Sequence, residues 1–390
     1  MINFKRDFIN RYENQQLPLS FVLDAEVGIG FGERKDSNTP LLDDLYFQKS
    51  KNNEEVIKWN DFDAILHEKL YYAFSEKATT INLSVKDFEN LPEKWNDLPD
   101  TFSSIIELYS HSNNEKIYIK NAGGSSATNL LGRFAYGDNE LFGHLKKITE
   151  IEERVNAGKI IAELVHLPEA RTGNILQRKN VRNFEIPYLG NSSLGVKSQI
   201  NIDDILVSVK NNKILLISKK YKKEIITRLS NAHNFDYNSL PVYQFLCDLQ
   251  TQNKRSGLGF YWNPIFLRLP FLPRVEFQNI IFSKARWTIK TEEIKELFEK
   301  EDLILSIKKW KKKLQIPDYV ELIDGDNRLL IYLLNITSVN MLYQTIKKRK
   351  RFVLEEFLFS DKEIVQKKEE FFCNQFVVSY YNKEKLTDND

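Results

Sequence analysis

The sequence predicts an α+β fold of mixed, mainly antiparallel sheets with packed helices. Apolar runs of strand length and amphipathic stretches follow one another without the strict alternation that builds a parallel, doubly wound sheet. Aromatic residues make up 12% of the 390 residues, with 26 Phe and 17 Tyr against 15 Gly and 11 Pro. This composition favours many aromatic-rich strands and helices over a turn-dominated barrel.

The first part of the chain is interpreted as mostly helical over residues 1–158. Apolar residues recur every three to four positions over residues 54–78, which predicts a core-facing helix. Two short strands around a polar turn are predicted within 105–121. A second helix is expected over 138–155, with Asp138 as its N-cap.

Residues 159–290 are interpreted as β-rich. Residues 159–167 form an apolar run of strand length, and Asn211 and Asn212 separate two apolar runs, which predicts a hairpin with positive φ at the turn. A helix is expected within 239–252, and strands within 272–289.

The composition shifts at residue 291 to a single charged helix that Pro317 ends. A strand, a turn, a strand, a helix and two more strands are predicted after it. We therefore place a soft boundary near 290 and treat 291–390 as an α+β C-terminal segment. Trp310 lies within KKWKKK and is expected to belong to the buried face of the charged helix.

Composition excludes several classes of protein. The formal net charge is only +2, so no global field attracts nucleic acid or a membrane surface. No stretch approaches the roughly 18 apolar residues that span a bilayer, and the N-terminus lacks a signal-peptide core. We expect a cytoplasmic protein without membrane insertion. Both cysteines, Cys247 and Cys373, lie in apolar runs and are expected to be buried and reduced.

Common catalytic motifs are missing from the sequence. GIGFG at 28–32 lacks the third glycine of a dinucleotide loop and is expected to be a turn. The five histidines show no metal-ligand spacing, and no nucleophile elbow is present. We therefore predict no metal site and no bound cofactor.

Arginines near small residues are a better indication of a site. GGSSATNLLGRF at 123–134 offers backbone N–H groups, the hydroxyls of Ser125 and Ser126, and then Arg133. Arg171, Arg178 and Arg182 cluster further along the chain. The alternative is that each arginine pairs with a nearby acid, such as Glu169 or Glu185. The lysine runs at 219–223, 308–313 and 347–351 could contact RNA backbone, but solvated surface explains them equally well.

Several stretches together resemble the lantibiotic dehydratase family. They cover nearly the whole chain in order: RYENQQLPLSFVLDAEVGIGFG, GGSSATNLLGRF, AELVHLPEARTGNILQRKNVRNFEIPYLGNSS, DDILVSVKNNKILLISKKYKKEIITRLSNAHN, SLPVYQFLCDLQ, FLPRVEFQNIIFSKARW and YVELIDGDNRLLI. The resemblance implies transfer of glutamate from glutamyl-tRNA onto Ser or Thr of a precursor peptide. Elimination to dehydroalanine or dehydrobutyrine follows in a separate domain. Because glutamyl-tRNA arrives activated as a co-substrate, no nucleotide-hydrolysing loop is required.

The resemblance implies roles for individual residues. Arg133 is the expected catalytic residue of the glutamylation site. The residues expected to bind tRNA or the glutamyl group are Arg171, Arg182, Arg178, Ser125 and Ser126. Arg274 and Arg286 rank second, because a strand arginine bonded to carbonyls or acids is an equally good account.

The chain resembles only the later part of the N-terminal, glutamylating domain of this family. We therefore expect either one piece of a split enzyme, with a second chain supplying the earlier half and the elimination domain, or the product of a broken gene. A component of a peptide–aminoacyl-tRNA ligase, which uses the same domain without elimination, is a further possibility. The alternative from another class is a non-catalytic peptide- or tRNA-binding subunit, or an inactive remnant.

Overall fold

The structure is a computed structural model that describes residues 1–32, 56–111, 114–167, 179–236, 239–358, 364–368 and 370–387. Its α-helices are numbered α1 to α9 in chain order. They span Ile2–Tyr12, Leu19–Val22, Asp61–Ser75, Asn139–Val155, Pro241–Asp248, Thr291–Phe298, Leu303–Leu314, Ile336–Ile346 and Lys383–Thr387. None of the helices in this part of the chain is both long and apolar enough to cross a membrane.

The strands are numbered β1 to β19 in the same way. They span Leu17–Pro18, Thr80–Leu83, Thr101–His111, Asn114–Gly123, Ile160–Val165, Phe184–Pro187, Ile205–Lys210, Lys213–Ser218, Glu224–Arg228, Phe271–Leu272, Arg274–Phe277, Ile280–Ser283, Arg286–Lys290, Tyr319–Asp324, Asn327–Tyr332, Arg351–Glu356, Gln366–Lys367, Glu370–Phe371 and Phe376–Tyr381.

The strands form three large sheets and one two-stranded ribbon, β17–β18. Sheet A has the order β1-β7-β8-β9-β5-β6, sheet B has β19-β3-β4-β12-β11-β2, and sheet C has β10-β13-β16-β14-β15. The pairs β5–β6, β5–β9, β4–β12 and β2–β11 are parallel, and the other described pairs are antiparallel. The predicted fold class, α+β with mainly antiparallel sheets, is confirmed.

Helices pack on sheets A and C and bury their apolar surface there. In α1, Phe4, Phe8 and Tyr12 lie four residues apart, so all three point to the same side and pack in the core of sheet A. In α7, Ile307 and Trp310 are buried against sheet C, while the lysines Lys308 and Lys309 between them are exposed. The predicted burial of Trp310 is confirmed, and this lysine run is a solvated helix face.

Several local predictions are confirmed at the level of backbone geometry. Asn211 and Asn212 have φ of 49° and 58° and join β7 to β8 in an antiparallel hairpin. Asp138 caps α4 by accepting a hydrogen bond from Leu141 N at 2.9 Å. GIGFG is irregular backbone that directly follows a turn at residues 25–27, and Arg11 donates to the carbonyl of Gly28 at 2.6 Å.

Other predictions are wrong. The charged helix from residue 291 is two helices, because Asp302 caps a new helix by accepting from Leu305 N at 2.9 Å. Cys247 is buried as expected, but Cys373 is exposed. The two strands predicted within 105–121 are present as β3 and β4, but they extend beyond that range at both ends.

The composition shift at 291 marks the start of a helix and not the edge of a packing unit. Strand β13, which ends at Lys290, pairs with β16 at the centre of sheet C. Strand β19 returns to pair with β3 in sheet B. Residues on both sides of 290 therefore share two sheets.

Candidate functional site

The segment 123–136, which carries the glycines and Arg133, begins with two residues that must be glycine. Gly123 and Gly124 have φ of 137° and 106°. A Cβ atom on Gly123 would lie 1.9 Å from the carbonyl oxygen of Ser256, and the N–H of Gly124 donates to that same oxygen at 2.8 Å. The segment is thus held against residues 256–258 by backbone contacts that tolerate no side chain.

Hydrogen bonds fix the turn that follows. Asn129 Oδ1 accepts from the N–H of Ser126 at 2.8 Å, and its Nδ2 donates to the carbonyl of Leu229 at 2.8 Å. The N–H of Ala127 donates to Thr101 Oγ1 at 2.9 Å. These two N–H groups are therefore used inside the protein and are not free to bind an anion, contrary to the expectation from the sequence.

Arg133 follows on a short 3₁₀ helix, Gly132–Tyr136, that packs tightly on the end of β9. A Cβ atom on Gly132 would lie 1.7 Å from the carbonyl oxygen of Ser230. The Arg133 side chain is exposed, and its guanidinium lies 4.5 Å from the centre of the Phe134 ring. Within the described residues it has no carboxylate partner. A fixed backbone thus presents an unpaired cation to solvent.

The segment also borders a cavity of about 390 Å³, which we call the loop cavity. This volume is within the usual range for small-molecule sites. Its wall mixes polar, uncharged side chains with apolar ones, and includes Gly123, Gly124, Ser125, Asn129, Leu130, Asn231, His233, Cys247, Gln250 and Tyr261. Ser125 is the predicted site residue that the structure brings to this wall, where its hydroxyl donates to Gln250 Oε1 at 3.0 Å.

Arg182 lies in a buried ion network and not at the surface. Its guanidinium pairs with Glu152 at 2.7 Å and with Glu163 at 3.3 Å, and its side chain has no exposed area. Nη2 also donates to the hydroxyl of Ser126, itself fully buried, at 3.4 Å. Neither Arg182 nor Ser126 reaches solvent in this conformation, so the acid-paired interpretation describes Arg182.

The same network joins the glycine segment to sheet A. Thr101 donates to Glu152 at 2.5 Å, and Glu163 accepts from both the N–H and the hydroxyl of Ser230. Burial raises the pKa of Glu152, but the guanidiniums of Arg182 and Arg228 outweigh it and hold that pKa below its usual value. Glu152 is therefore charged and holds helix α4 against the segment that carries Arg133.

The remaining predicted arginines lie apart from the loop cavity or outside the described residues. Arg274 bridges Glu276 at 3.0 Å and Glu356, so two acids neutralise it. Arg286 begins β13 and is half-buried. Arg171 and Arg178 lie outside the described residues, and their roles stay predictions.

Two residues of the loop cavity have no motif that would have predicted them. His233 approaches the hydroxyl of Tyr243 at 3.3 Å, and burial, with nearby His166, lowers the pKa of His233. Gln250 accepts from the N–H of Leu229 at 2.7 Å as well as from Ser125. Both come from sequence-distant elements, and only the fold brings them beside the glycines.

The profile of the family described as "Lantibiotic dehydratase, N terminus" matches residues 1–342. The chain belongs to the lantibiotic dehydratase family. The family predicted from the sequence is thereby confirmed.

Curated relatives are much longer than this chain. The epidermin biosynthesis protein EpiB of Staphylococcus epidermidis is 26% identical over 381 residues, which cover 91% of this chain and 35% of EpiB. The nisin biosynthesis protein NisB of Lactococcus lactis subsp. lactis is 24% identical over 388 residues, covering 94% of this chain and 36% of NisB. The chain thus spans about a third of the length of these relatives.

Two solved structures share the fold. The tRNA-dependent lantibiotic dehydratase MibB of Microbispora superposes with a TM-score of 0.72 at 16% identity, over 91% of this chain and 34% of MibB. The glutamylation domain TbtB from thiomuracin biosynthesis, bound to 5'-phosphodesmethylglutamycin, gives a TM-score of 0.60 at 15% identity. That match covers 97% of this chain and 47% of TbtB. At these identities the likeness concerns the fold alone.

Proposed function

We propose that this chain takes part in transferring glutamate from glutamyl-tRNA to Ser or Thr of a precursor peptide, with Arg133 as a catalytic residue. The observation that carries the proposal is the exposed Arg133 guanidinium, which has no carboxylate partner among the described residues and follows a segment fixed by Gly123, Asn129 and Gly132. Family membership and the fold shared with a glutamylation domain support it.

Acyl transfer places negative charge on the ester carbonyl oxygen in its transition state. A preorganised cation stabilises that charge more than it stabilises the neutral ground state, and this difference lowers the barrier. In our proposal Arg133 provides this cation or binds the phosphates of the tRNA acceptor end. Ser125, on the wall of the loop cavity, contacts the glutamyl group.

The proposed reaction also needs regions of the relatives to which this chain does not align. The curated relatives extend far beyond the matched third, and they are named for epidermin and nisin biosynthesis. We propose that a second chain supplies the earlier part of the glutamylation domain and the elimination domain, and that it packs against this one. Glutamyl-tRNA is the co-substrate, and the precursor peptide is the acceptor.

The test is a glutamylation assay read by mass spectrometry. The purified chain, with and without its candidate partner chain, is mixed with glutamyl-tRNA and precursor peptide, and the peptide is examined for added glutamate. We expect the addition only when both chains are present. Precursor peptide or tRNA that binds without any added glutamate would instead support the non-catalytic binding subunit.

The first prediction concerns Arg133 within that assay. Arg133→Ala should slow glutamyl addition by about 10²–10³-fold, the usual cost of losing one donor to a developing oxyanion. Arg133→Lys should recover part of the rate, because it keeps the charge but not the planar fork. Arg6→Ala, which removes an exposed arginine on α1, is the matched control. Wild-type rates for Arg133→Ala would remove Arg133 from the site.

A further inference from the structure

A second cavity, of about 330 Å³, lies between the C-terminal end of α4, strands β8 and β9, and α9. We call it the lysine cavity. Its wall carries five cations: Lys159, Lys213, Arg228, Lys254 and Lys385. The wall carries two carboxylates, Asp100 and Glu224. The lining therefore has a formal excess of three positive charges in a concave space.

Both carboxylates are already shared between cations. Glu224 accepts from Lys213 at 2.8 Å and from Lys159 at 3.1 Å. Asp100 accepts from Arg228 at 3.3 Å and lies 3.5 Å from the ammonium of Lys385. Each acid thus faces two cations, and no further carboxylate of the described residues lines the cavity.

Lys254 makes no close ion pair, although the more distant carboxylate of Asp100 acts on its charge. Its ammonium donates to the carbonyl of Asn96 at 3.1 Å, and none of the described carboxylates lies within ion-pair distance of it. Burial and the nearby ammonium of Lys385 lower the pKa of Lys254 to about 8. Two like charges are therefore held close together, at a cost that a bound anion would remove.

Arg228 adds a buried positive charge to the wall of this cavity. Its residue is only 6% exposed, and its buried Nε has no hydrogen-bond partner among the described residues. Buried guanidinium N–H groups are normally paired, because leaving one unpaired costs free energy. An anion in the cavity would stabilise the positive charge of this guanidinium.

We propose that the lysine cavity is a binding site for a phosphate group. An excess of three charges suits a compact multivalent anion better than a single carboxylate, and lysines recognise phosphate as point charges. The site is separate from Arg133 and does not depend on glutamyl transfer. The phosphate belongs either to an RNA backbone or to a small free phosphate compound.

The test uses inorganic pyrophosphate and the full chain, with binding measured by calorimetry and by the melting temperature. Wild-type protein should bind pyrophosphate and melt at a higher temperature in its presence. Lys254→Gln should weaken binding about tenfold or more, since it removes one charge-assisted contact. Lys385→Gln, on a different element, should do the same.

Stability without ligand separates a binding role from a structural one. Because Lys254→Gln removes a repulsion and its amide can still donate to Asn96, the ligand-free variant should melt at or above the wild-type temperature. Lys309→Gln removes an exposed lysine of α7 and is the control. The proposal is overturned if wild-type protein does not bind pyrophosphate, or if Lys254→Gln and Lys309→Gln bind it equally well.

Adding tRNA identifies the source of the phosphate. If the cavity holds an RNA phosphate, pyrophosphate competes with tRNA, and Lys254→Gln reduces the salt dependence of tRNA binding by about one ion. If it holds a free phosphate compound, Lys254→Gln binds tRNA as wild type does while it loses pyrophosphate. Either result supports the phosphate site.

Discussion

Arg182 is paired by acids that the sequence places far from it. Glu152 and Glu163 lie 30 and 19 residues earlier in the chain, on α4 and β5, and both reach the guanidinium. The acids expected from the sequence, Glu169 and Glu185, are close to Arg182 along the chain. The guanidinium and both carboxylates are buried away from water, so each charge depends on the opposite charges beside it. We therefore interpret Arg182 as a structural residue.

The second prediction follows from that burial. Arg182→Met leaves two buried carboxylates with less compensation, so it should lower the free energy of unfolding by about 3–5 kcal/mol. Urea denaturation at neutral pH measures the change. Lys179→Met removes a nearby cation that donates to Asn139 at 3.1 Å and lies 5.1 Å from the centre of the Phe142 ring, and should change stability by about 1 kcal/mol or less.

An unchanged denaturation midpoint for Arg182→Met would show that the network contributes no stability. Ligand binding would then again be the favoured role of Arg182. Loss of stability without any change in glutamylation per folded molecule would instead assign Arg182 to the scaffold alone.

The candidate site was only partly predictable at the level of residues. Small residues followed by Arg133 are adjacent in sequence, so their pattern is visible without a structure. His233, Gln250 and Glu152 come from three other elements, and no local rule links them to residues 123–136. The sequence also did not show that two backbone N–H groups of this segment are already hydrogen-bonded. The N–H of Ser126 donates to Asn129, and the N–H of Ala127 donates to Thr101.

At the level of elements, local chemistry predicted boundaries well where one side chain determines them. The Asn211–Asn212 turn and the Asp138 cap each depend on a few adjacent residues. The break between α6 and α7 was missed, although Asp302 is a good N-cap residue. Continuous helix propensity over 291–314 concealed it, because charged residues favour both one long helix and two short ones.

The third prediction concerns this break. Asp302→Ala removes the cap of α7 and should cost about 1 kcal/mol of stability. Asp326→Ala, at an exposed position of the turn between β14 and β15, should have little effect. Thermal unfolding followed by circular dichroism compares the two. Equal stability of both variants would mean that the Asp302 cap does not hold the start of α7.

At the level of the whole molecule, pairing between distant strands decides the organisation. A composition shift at 291 does not show which strands pair with one another. The sequence therefore could not show that β13 pairs with β16 or β3 with β19. Long-range register depends on which surfaces meet after folding. The fold class was accessible from element order, but the packing units were not.

The fourth prediction tests that organisation by truncation. A fragment of residues 1–290 should fail to unfold cooperatively, because β13 and β3 each lose a neighbouring strand. A fragment of residues 1–372 keeps sheet C but uncovers one edge of β3, and should self-associate through that edge. Calorimetry and light scattering measure both. Cooperative unfolding of monomeric 1–290 would show that residues 1–290 fold without the strands that follow them.

The pairing of β3 with β19 also has a consequence for how the protein is made. Ser104 and Tyr380, which are hydrogen-bonded across these strands, lie 276 residues apart. At about 5–20 residues per second a ribosome needs roughly 15–55 s to cover that distance. Throughout this interval the nascent chain carries an open strand edge in β3, so chaperone binding during translation should concentrate there.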